Sequence, residues 1–252
     1  MLSLAARRDG LRAPRAGWRV TTAADFPPAG WREIAVRDAC VKLWLIAAAP
    51  EASALAAAER VLSEEERARA KRFVRLEDRA RAMISRAALR RLLGARIGSA
   101  PERLVFSETD YGKPCLVGAP SPSFNVSHSG SYALIGLSTG GEIGVDIEET
   151  RPDVEALDLA RGFFHDGEYH AIVACKGPAR LDAFYRVWTA KEAALKALGV
   201  GIAERLKDFE VRLEPGGPRL IPAPGAFSPR LSTMRLAAIE APHGYAGAYA
   251  VG

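Results

Sequence analysis

Two short segments of this chain carry acidic residues at spacings that would place them side by side. Asp146 and Glu148 lie two residues apart in an alternating apolar and polar run, which is typical of a strand, so they would share one face. Glu192 precedes Lys196 by four residues in a helical pattern, so these two side chains would also be neighbours. Three converging carboxylates suit a hard divalent cation such as Mg²⁺ acting on a phosphate ester, and a nearby lysine could hold or protonate a phosphate.

Each of these features also has an ordinary structural interpretation. A glutamate four residues before a lysine commonly forms a helix ion pair, and an Asp-x-Glu strand is commonly the solvated face of a sheet. Only the combination of the two segments favours a metal site.

The elements around these segments follow from periodicity and capping signals. Ser63 followed by Glu66 predicts a capped helix start, and the helical pattern continues beyond a break near Phe73. The segment 123–130 is polar and predicted to be turn-like, and it leads into an apolar strand over 132–137.

The second half of the chain repeats this order of elements. The patterns predict a strand, then helical segments, then a long helix, then closing strands, and the predicted ranges are 143–148, 153–175, 181–198, 209–213, 234–239 and 245–251. In the first half, strands are predicted over 41–47 and 104–106, on either side of the helical segment.

Four motifs in this order resemble those of the Sfp-type 4′-phosphopantetheinyl transferases. They are Gly112-Lys-Pro, Phe124-Asn-Val-Ser-His-Ser, Gly144-Val-Asp-Ile-Glu and Trp188-Thr-Ala-Lys-Glu-Ala-Ala-Leu-Lys. The resemblance implies an α+β fold of two similar subdomains with pseudo-twofold symmetry. Each subdomain would be an antiparallel sheet packed with helices, and the ligand site would lie between them. We expect a poorly ordered extension over 1–37, an N-terminal subdomain over 38–141 and a C-terminal subdomain over 142–252.

The resemblance also implies a reaction. An enzyme of this family transfers the 4′-phosphopantetheine group from coenzyme A to a serine of an apo acyl or peptidyl carrier protein, with Mg²⁺, and releases adenosine 3′,5′-bisphosphate. By this analogy Asp146, Glu148 and Glu192 hold Mg²⁺, Glu192 is the general base, and Lys196 assists the leaving phosphate. The residues alone leave open whether Glu192 both coordinates the metal and accepts the proton.

Coenzyme A contacts are also implied by the resemblance. The expected contacts come from basic and polar residues of three motifs and of the basic helical segment, namely Lys113, Ser127, His128, Arg69, Arg72, Arg81 and Lys196. Glu66 departs from the family pattern, because a lysine is commoner at that position.

Composition limits the remaining possibilities. The chain has 252 residues and a net charge of +5, with twelve basic and five acidic residues in the segment 60–98. No apolar run is long enough to cross a bilayer, the N-terminal residues lack the apolar core of a secretory signal, and three widely spaced cysteines favour a reducing compartment. We therefore expect a cytoplasmic protein that binds neither a membrane nor nucleic acid, and the family resemblance implies a monomer. The alternatives are a metal-dependent pyrophosphate or nucleotide hydrolase and, less favoured, a basic nucleic-acid-binding module.

Overall fold

The computed structural model of this protein describes residues 30–109, 112–118, 122–200, 205–223 and 227–252. After an initial strand β1 (Trp31–Ile34), one order of elements occurs twice in these residues. The first series is β2 (Val41–Ala47), α1 (Ala52–Glu59), α2 (Glu64–Ala70), α3 (Leu76–Ile97), β3 (Phe106–Glu108), β4 (Pro114–Leu116), β5 (Ser123–Ser129) and β6 (Tyr132–Ser138). The second series is β7 (Ile143–Glu149), α4 (Ala156–Phe163), α5 (Asp166–Ala174), α6 (Pro178–Leu198), β8 (Phe209–Glu214), β9 (Gly217–Pro222), β10 (Arg235–Ala238) and β11 (Tyr245–Val251).

The two series build sheets with the same strand order. The first sheet has the order β1-β2-β6-β5 and the second has the order β7-β11-β10, and all their pairings are antiparallel. In the first sheet β2 pairs with β6, which also pairs with β5. In the second sheet β7 pairs with β11, which also pairs with β10, so the corresponding strands of the two series occupy corresponding places. The predicted α+β class with two similar halves is therefore confirmed.

Three apolar cores hold the layers together. One lies between α3 and the first sheet and includes Leu89, and a second lies around α6 and includes Leu195. The third joins the two sheets and includes Leu43 and Leu134 from the first and Val145 from the second. Because residues of a strand alternate in direction, β7 presents Val145 to this third core, as predicted, and leaves the acidic residues for the other face.

Several sequence predictions hold in detail. Ser63 and Glu66 form a capping box at the start of α2, since each side chain accepts a hydrogen bond from the other residue's backbone N–H. The helical pattern breaks after α2, as expected, and resumes at Leu76. No helix of the described ranges is long and apolar enough to cross a membrane.

Other predicted boundaries were wrong. The strand predicted over 104–106 begins only at Phe106 and runs to Glu108, and β9 was not predicted. The helical segments predicted over 153–175 are present as two helices, which are separated where the backbone turns at Phe164 and His165 caps α5 with Glu168.

The N-terminal prediction is corrected in part. Most of the extension predicted over 1–37 lies outside the described residues, but residues 31–34 form β1, which pairs with β2. Ile34 is buried in the core between the two sheets. The proposed division after residue 141 stays a prediction, and the turn between β6 and β7 contains that position.

Candidate active site

Helix α6 lies directly against strand β7 because Gly144 has no side chain. A Cβ atom added at Gly144 would lie 2.1 Å from the carbonyl oxygen of Ala193 and 2.3 Å from the amide nitrogen of Ala197. Both distances are far below van der Waals contact, so only glycine permits this approach. The contact brings the Glu192 face of α6 to the acidic face of β7.

Lys196 lies between the two predicted acids on these elements. Its Nζ atom is 2.6 Å from Asp146 Oδ1, 3.4 Å from Glu192 Oε2 and 3.2 Å from Ser127 Oγ. The exposed fraction of the side chain is 1% for Asp146, 12% for Glu192 and 19% for Lys196. The predicted catalytic pair and one predicted metal ligand therefore form a single, largely buried cluster, which we call the acid–lysine cluster.

Strand β5 runs alongside β7, and its side chains bond to β7 across what we call the β5–β7 seam. Ser127 Oγ donates to Asp146 Oδ1 at 2.7 Å, and Ser129 Oγ donates to Glu148 Oε2 at 2.7 Å. Asn125 Oδ1 accepts a hydrogen bond from a backbone N–H of β7 at 2.9 Å. Asp146 and Glu148 are thus each oriented by a hydroxyl of β5.

The seam corrects the prediction that residues 123–130 are turn-like. They form the strand β5, and the turn is confined to its end, where Gly130 has a φ of 51°. The polar residues at alternate positions 123, 125, 127 and 129 are satisfied by β7 and not by a local turn. Their period of two was the available signal of a strand.

Burial and neighbouring charges shift the pKa values of the ionisable side chains in and around the cluster. Burial, with a further contribution from the charge of Asp146, raises the pKa of Glu192 to about 7. The same two causes raise the pKa of Glu148 above its usual range. Burial alone would lower the pKa of Lys196, but the charges of Asp146 and Glu192 outweigh it and raise that pKa. The site therefore holds a cationic lysine beside carboxyl groups whose simultaneous ionisation is unfavourable.

The donor set fits a divalent cation, although it is not arranged as a finished metal site. Among the described residues, no group of three or more acidic, histidine or cysteine side chains is placed to hold a metal ion. However, Asp146 Oδ2 is buried without a hydrogen-bond partner, and burial, with a further contribution from the charge of Asp146, raises the pKa of both Glu148 and Glu192. A buried acceptor and crowded carboxylates are what a hard cation with oxygen ligands would satisfy.

Two of the predicted coenzyme A contacts border the cluster. Arg81 Nη1 donates to the carbonyl oxygen of Gly130 at 2.6 Å, and Arg81 also pairs with Asp78. His128 lies on β5 next to Ser127, with part of its ring open to solvent. Burial of the remainder lowers its pKa, and the positive charge of Arg81 acts in the same direction.

Ser127 and Lys196, also predicted contacts, belong to the cluster itself, and three further predicted contacts lie apart from it. Lys113 Nζ is 2.7 Å from Glu142 Oε2, and Arg69 Nη1 is 2.8 Å from Glu108 Oε1. Arg72 lies in the exposed turn between α2 and α3. Glu66, the departure from the family pattern, accepts hydrogen bonds from two arginines of α3, Arg86 and Arg90.

A cavity of about 590 Å³ opens beside these arginines, between α2, α3 and the segment 102–108. In its wall the guanidinium of Arg86 lies over the ring of Phe106, 3.9 Å from the ring centre. Three of its four arginines are paired with glutamates, and four glutamates line the cavity in all, so it has no marked excess of positive charge.

Sequence reasoning missed several residues of the site. Ser129, which orients Glu148, was quoted only as part of a motif, and the buried Lys191 beside Glu192 was given no role. For Ser129 the alternation along the strand was a usable signal. For Lys191 the sequence offered none, because a lysine in a helix is usually solvated.

Comparison with known proteins agrees with this arrangement. Two family models match the chain, the "4'-phosphopantetheinyl transferase, N-terminal" model over residues 47–139 and the "4'-phosphopantetheinyl transferase superfamily" model over residues 142–250. Protein slr0495 of Synechocystis sp. is 47% identical over 57% of this chain and 59% of its own length.

Two relatives are covered more fully. The 4′-phosphopantetheinyl transferase HetI of Nostoc sp. is 37% identical over 75% of this chain and 80% of its own length. The 4′-phosphopantetheinyl transferase Sfp of Bacillus subtilis is 33% identical over 67% of this chain and 74% of its own length. With this extent of identity, and with the predicted motif residues brought together at the contact of α6 with β7, the chain belongs to the 4′-phosphopantetheinyl transferase family.

Proposed function

We propose that this enzyme transfers the 4′-phosphopantetheine group from coenzyme A to a serine hydroxyl of an apo carrier protein, in a Mg²⁺-dependent reaction that releases adenosine 3′,5′-bisphosphate. The observation that carries the proposal is the acid–lysine cluster. It places a carboxyl with a pKa of about 7 beside a protonated lysine and a second carboxylate. The transfer forms a bond between the serine oxygen and phosphorus and breaks the bond from phosphorus to the bridging oxygen of the pyrophosphate.

Glu192 is suited to accept the proton of the serine. A general base works best when its pKa lies near the working pH, because it is then ionised often enough and still binds the proton strongly. Burial raises the pKa of Glu192 into this range. An ordinary exposed glutamate would be a much weaker base.

Lys196 is suited to stabilise the negative charge that develops on the departing phosphate. Its raised pKa keeps it protonated at neutral pH, and its contacts with Asp146 and Ser127 fix the position of the ammonium group. A fixed charge in a buried site stabilises a transition state more than a mobile exposed charge, since it needs no reorganisation.

Asp146, Glu148 and Glu192 are the residues that would hold Mg²⁺. When bound, the cation would neutralise the pyrophosphate charge and so make the phosphorus accessible to a nucleophile. The hydroxyls of the β5–β7 seam already orient two of these carboxylates, and such supporting hydrogen bonds are a common feature of metal sites.

The edge of the site favours an anionic ligand on the side of β5. Arg81 is anchored there by the Gly130 carbonyl, and His128 lies beside it. We assign these two residues to the phosphate groups of coenzyme A. Lys113, Arg69 and Arg72 stay weaker candidates, because they lie apart from the acid–lysine cluster.

The second substrate is a protein. The excess of basic residues in 60–98 supports an acidic carrier protein, which electrostatic attraction would guide to this face. We further propose that the enzyme acts as a cytoplasmic monomer.

The test is intact-protein mass spectrometry of an apo acyl carrier protein incubated with the enzyme, coenzyme A and Mg²⁺. We expect the carrier to gain the mass of one phosphopantetheine group, and we expect this gain to disappear with EDTA. Glu192→Gln should give no gain, whereas Glu155→Gln, a change at an exposed glutamate outside the cluster, should react like the native enzyme.

The same experiment separates transfer from hydrolysis. A pyrophosphate hydrolase would release free phosphopantetheine and leave the carrier unmodified. Free product, or unmodified fatty acid, polyketide and peptide carriers throughout, would contradict the proposed function.

A further inference from the structure

The next residue along α6 from the candidate base is a lysine that solvent does not reach. The side chain of Lys191 is 0% exposed. Its Nζ atom donates to the carbonyl oxygens of Leu206 and Phe209 at 2.6 Å each, and it lies 2.8 Å from Glu168 Oε1. Three short contacts therefore bind α6 to the segment before β8, to the first residue of β8 and to α5.

Glu168, the acid of this pair, is itself fully engaged. Its side chain is 0% exposed. It accepts hydrogen bonds from the amide of Val211 at 2.6 Å and from the amide of His165 at 2.8 Å. The ammonium also lies 4.3 Å from the centre of the Phe209 ring. The pair is thus a closed polar network inside the core around α6.

Stability alone is a weak explanation for such a pair. Removing two charges from water is costly, and apolar side chains of similar volume often stabilise a core equally well or better. What an ion pair with carbonyl partners adds is direction, because each hydrogen bond fixes a distance and an angle. Lys191 is one residue before Glu192, and Gly144 restrains the same helix from β7.

We propose that Lys191 is a positioning residue, which fixes the rotation of α6 about its axis and so sets the approach of Glu192 and Lys196 to Asp146. This inference rests on the proposed function, because its consequence is a rate of transfer. Lys191 takes no part in the chemistry, since its ammonium contacts Glu168 and two backbone carbonyls.

The expected effect follows from helix geometry. Side-chain atoms lie about 6 Å from a helix axis, so a rotation of about 10° moves them by about 1 Å. A displacement of about 1 Å at a reacting group can lower the rate about 100-fold. A small loss of rotational restraint is therefore sufficient to impair the cluster.

The test is the double variant Lys191→Met/Glu168→Gln, which removes the buried charges together and keeps both side-chain volumes. In a folded double variant we expect kcat to fall between about 10-fold and 100-fold. We expect the KM for coenzyme A to change by less than about twofold, because no coenzyme A contact is altered. A purely structural role predicts a native kcat instead, because the folded double variant has a packed core with no unpaired charge.

The control is Leu92→Ala, a cavity in the core of the first subdomain. It should lower thermal stability and leave kcat nearly native when assayed well below the unfolding transition, which shows that lost stability alone does not lower the rate. A folded double variant with kcat within about twofold of native would overturn the proposal.

If the double variant does not fold, the single variant Glu168→Gln provides a further test. Glu168→Gln retains the lysine and its two carbonyl contacts, so we expect kcat within about threefold of native. A tenfold loss in folded Glu168→Gln would show that charge pairing, and not the carbonyl anchor, sets the rate. Failure of the native enzyme to modify any carrier would instead contradict the proposed function. That result comes from the native enzyme alone, so it is distinguishable from failure of the positioning role of Lys191.

Discussion

Replacing Glu192 with glutamine should abolish transfer and, in the absence of metal, make the protein more stable at alkaline pH. Glutamine has the shape of a protonated glutamate but cannot ionise. The native side chain must carry a negative charge above its pKa, in a buried position beside Asp146. The substitution therefore removes both the proposed base and an electrostatic strain.

The size of the effect follows from the shift in pKa. The folded pKa of Glu192 is about 7, against the ordinary glutamate value of 4.5 that holds in the unfolded chain. Because the folded pKa is raised, the folded state binds the proton more tightly, and its stability falls as pH rises between these two values. At about 1.36 kcal/mol per unit, the native protein loses about 3 kcal/mol across this window relative to Glu192→Gln.

Urea unfolding with EDTA at pH 5 and at pH 8 measures the difference. At pH 5 most Glu192 is still protonated in the folded state, so the native protein and the variant should differ by less than about 1 kcal/mol. At pH 8 the variant should be more stable by about 3 kcal/mol. Glu155→Gln, at an exposed position, serves as the control and should show no such dependence on pH.

Equal stability of Glu192→Gln and the native protein at pH 8 would refute the reasoning. It would mean that Glu192 is not buried beside another negative charge in the free enzyme. Retained transfer by the variant would separately remove Glu192 from the role of base.

Three further predictions concern the same region. Gly144→Ala forces a Cβ atom against the backbone of α6, so we expect a loss of more than about 4 kcal/mol or no soluble protein; a near-native urea midpoint would contradict the close contact. Ser127→Ala removes a donor to Asp146 and should cost about 1 kcal/mol of stability, measured by urea unfolding, with a fall in kcat. Asp146→Asn should weaken Mg²⁺ binding at least tenfold by isothermal titration, and native affinity would exclude this residue as a ligand.

The elements that place the cluster were largely predictable because their signals are local. Alternation in residues 143–148 and the four-residue spacing of Glu192 and Lys196 each depend only on neighbouring residues. The contact between the two elements was not predictable from spacing, since it depends on Gly144 meeting a helix 49 or more residues later in the chain. Family resemblance supplied that step.

The errors have a common physical origin in long-range pairing. Residues 123–129 contain serine and asparagine, which favour turns when they must satisfy the backbone locally. Here β7 satisfies them, so the segment is a strand. Lys191 was overlooked for a similar reason, because its partners lie on α5, in β8 and in the segment before β8.

The β5–β7 seam has a consequence for how this enzyme can be recombined with its relatives. Asp146 and Glu148 come from the second half of the chain, but the hydroxyls that orient them come from the first half. In a chimaera joined between β6 and β7, the hydroxyl and the carboxylate of each hydrogen-bonded pair would come from different parent proteins. Positions 127 and 146, and likewise 129 and 148, should therefore vary together during evolution, and successful exchange of one half should require matching hydroxyls in the other.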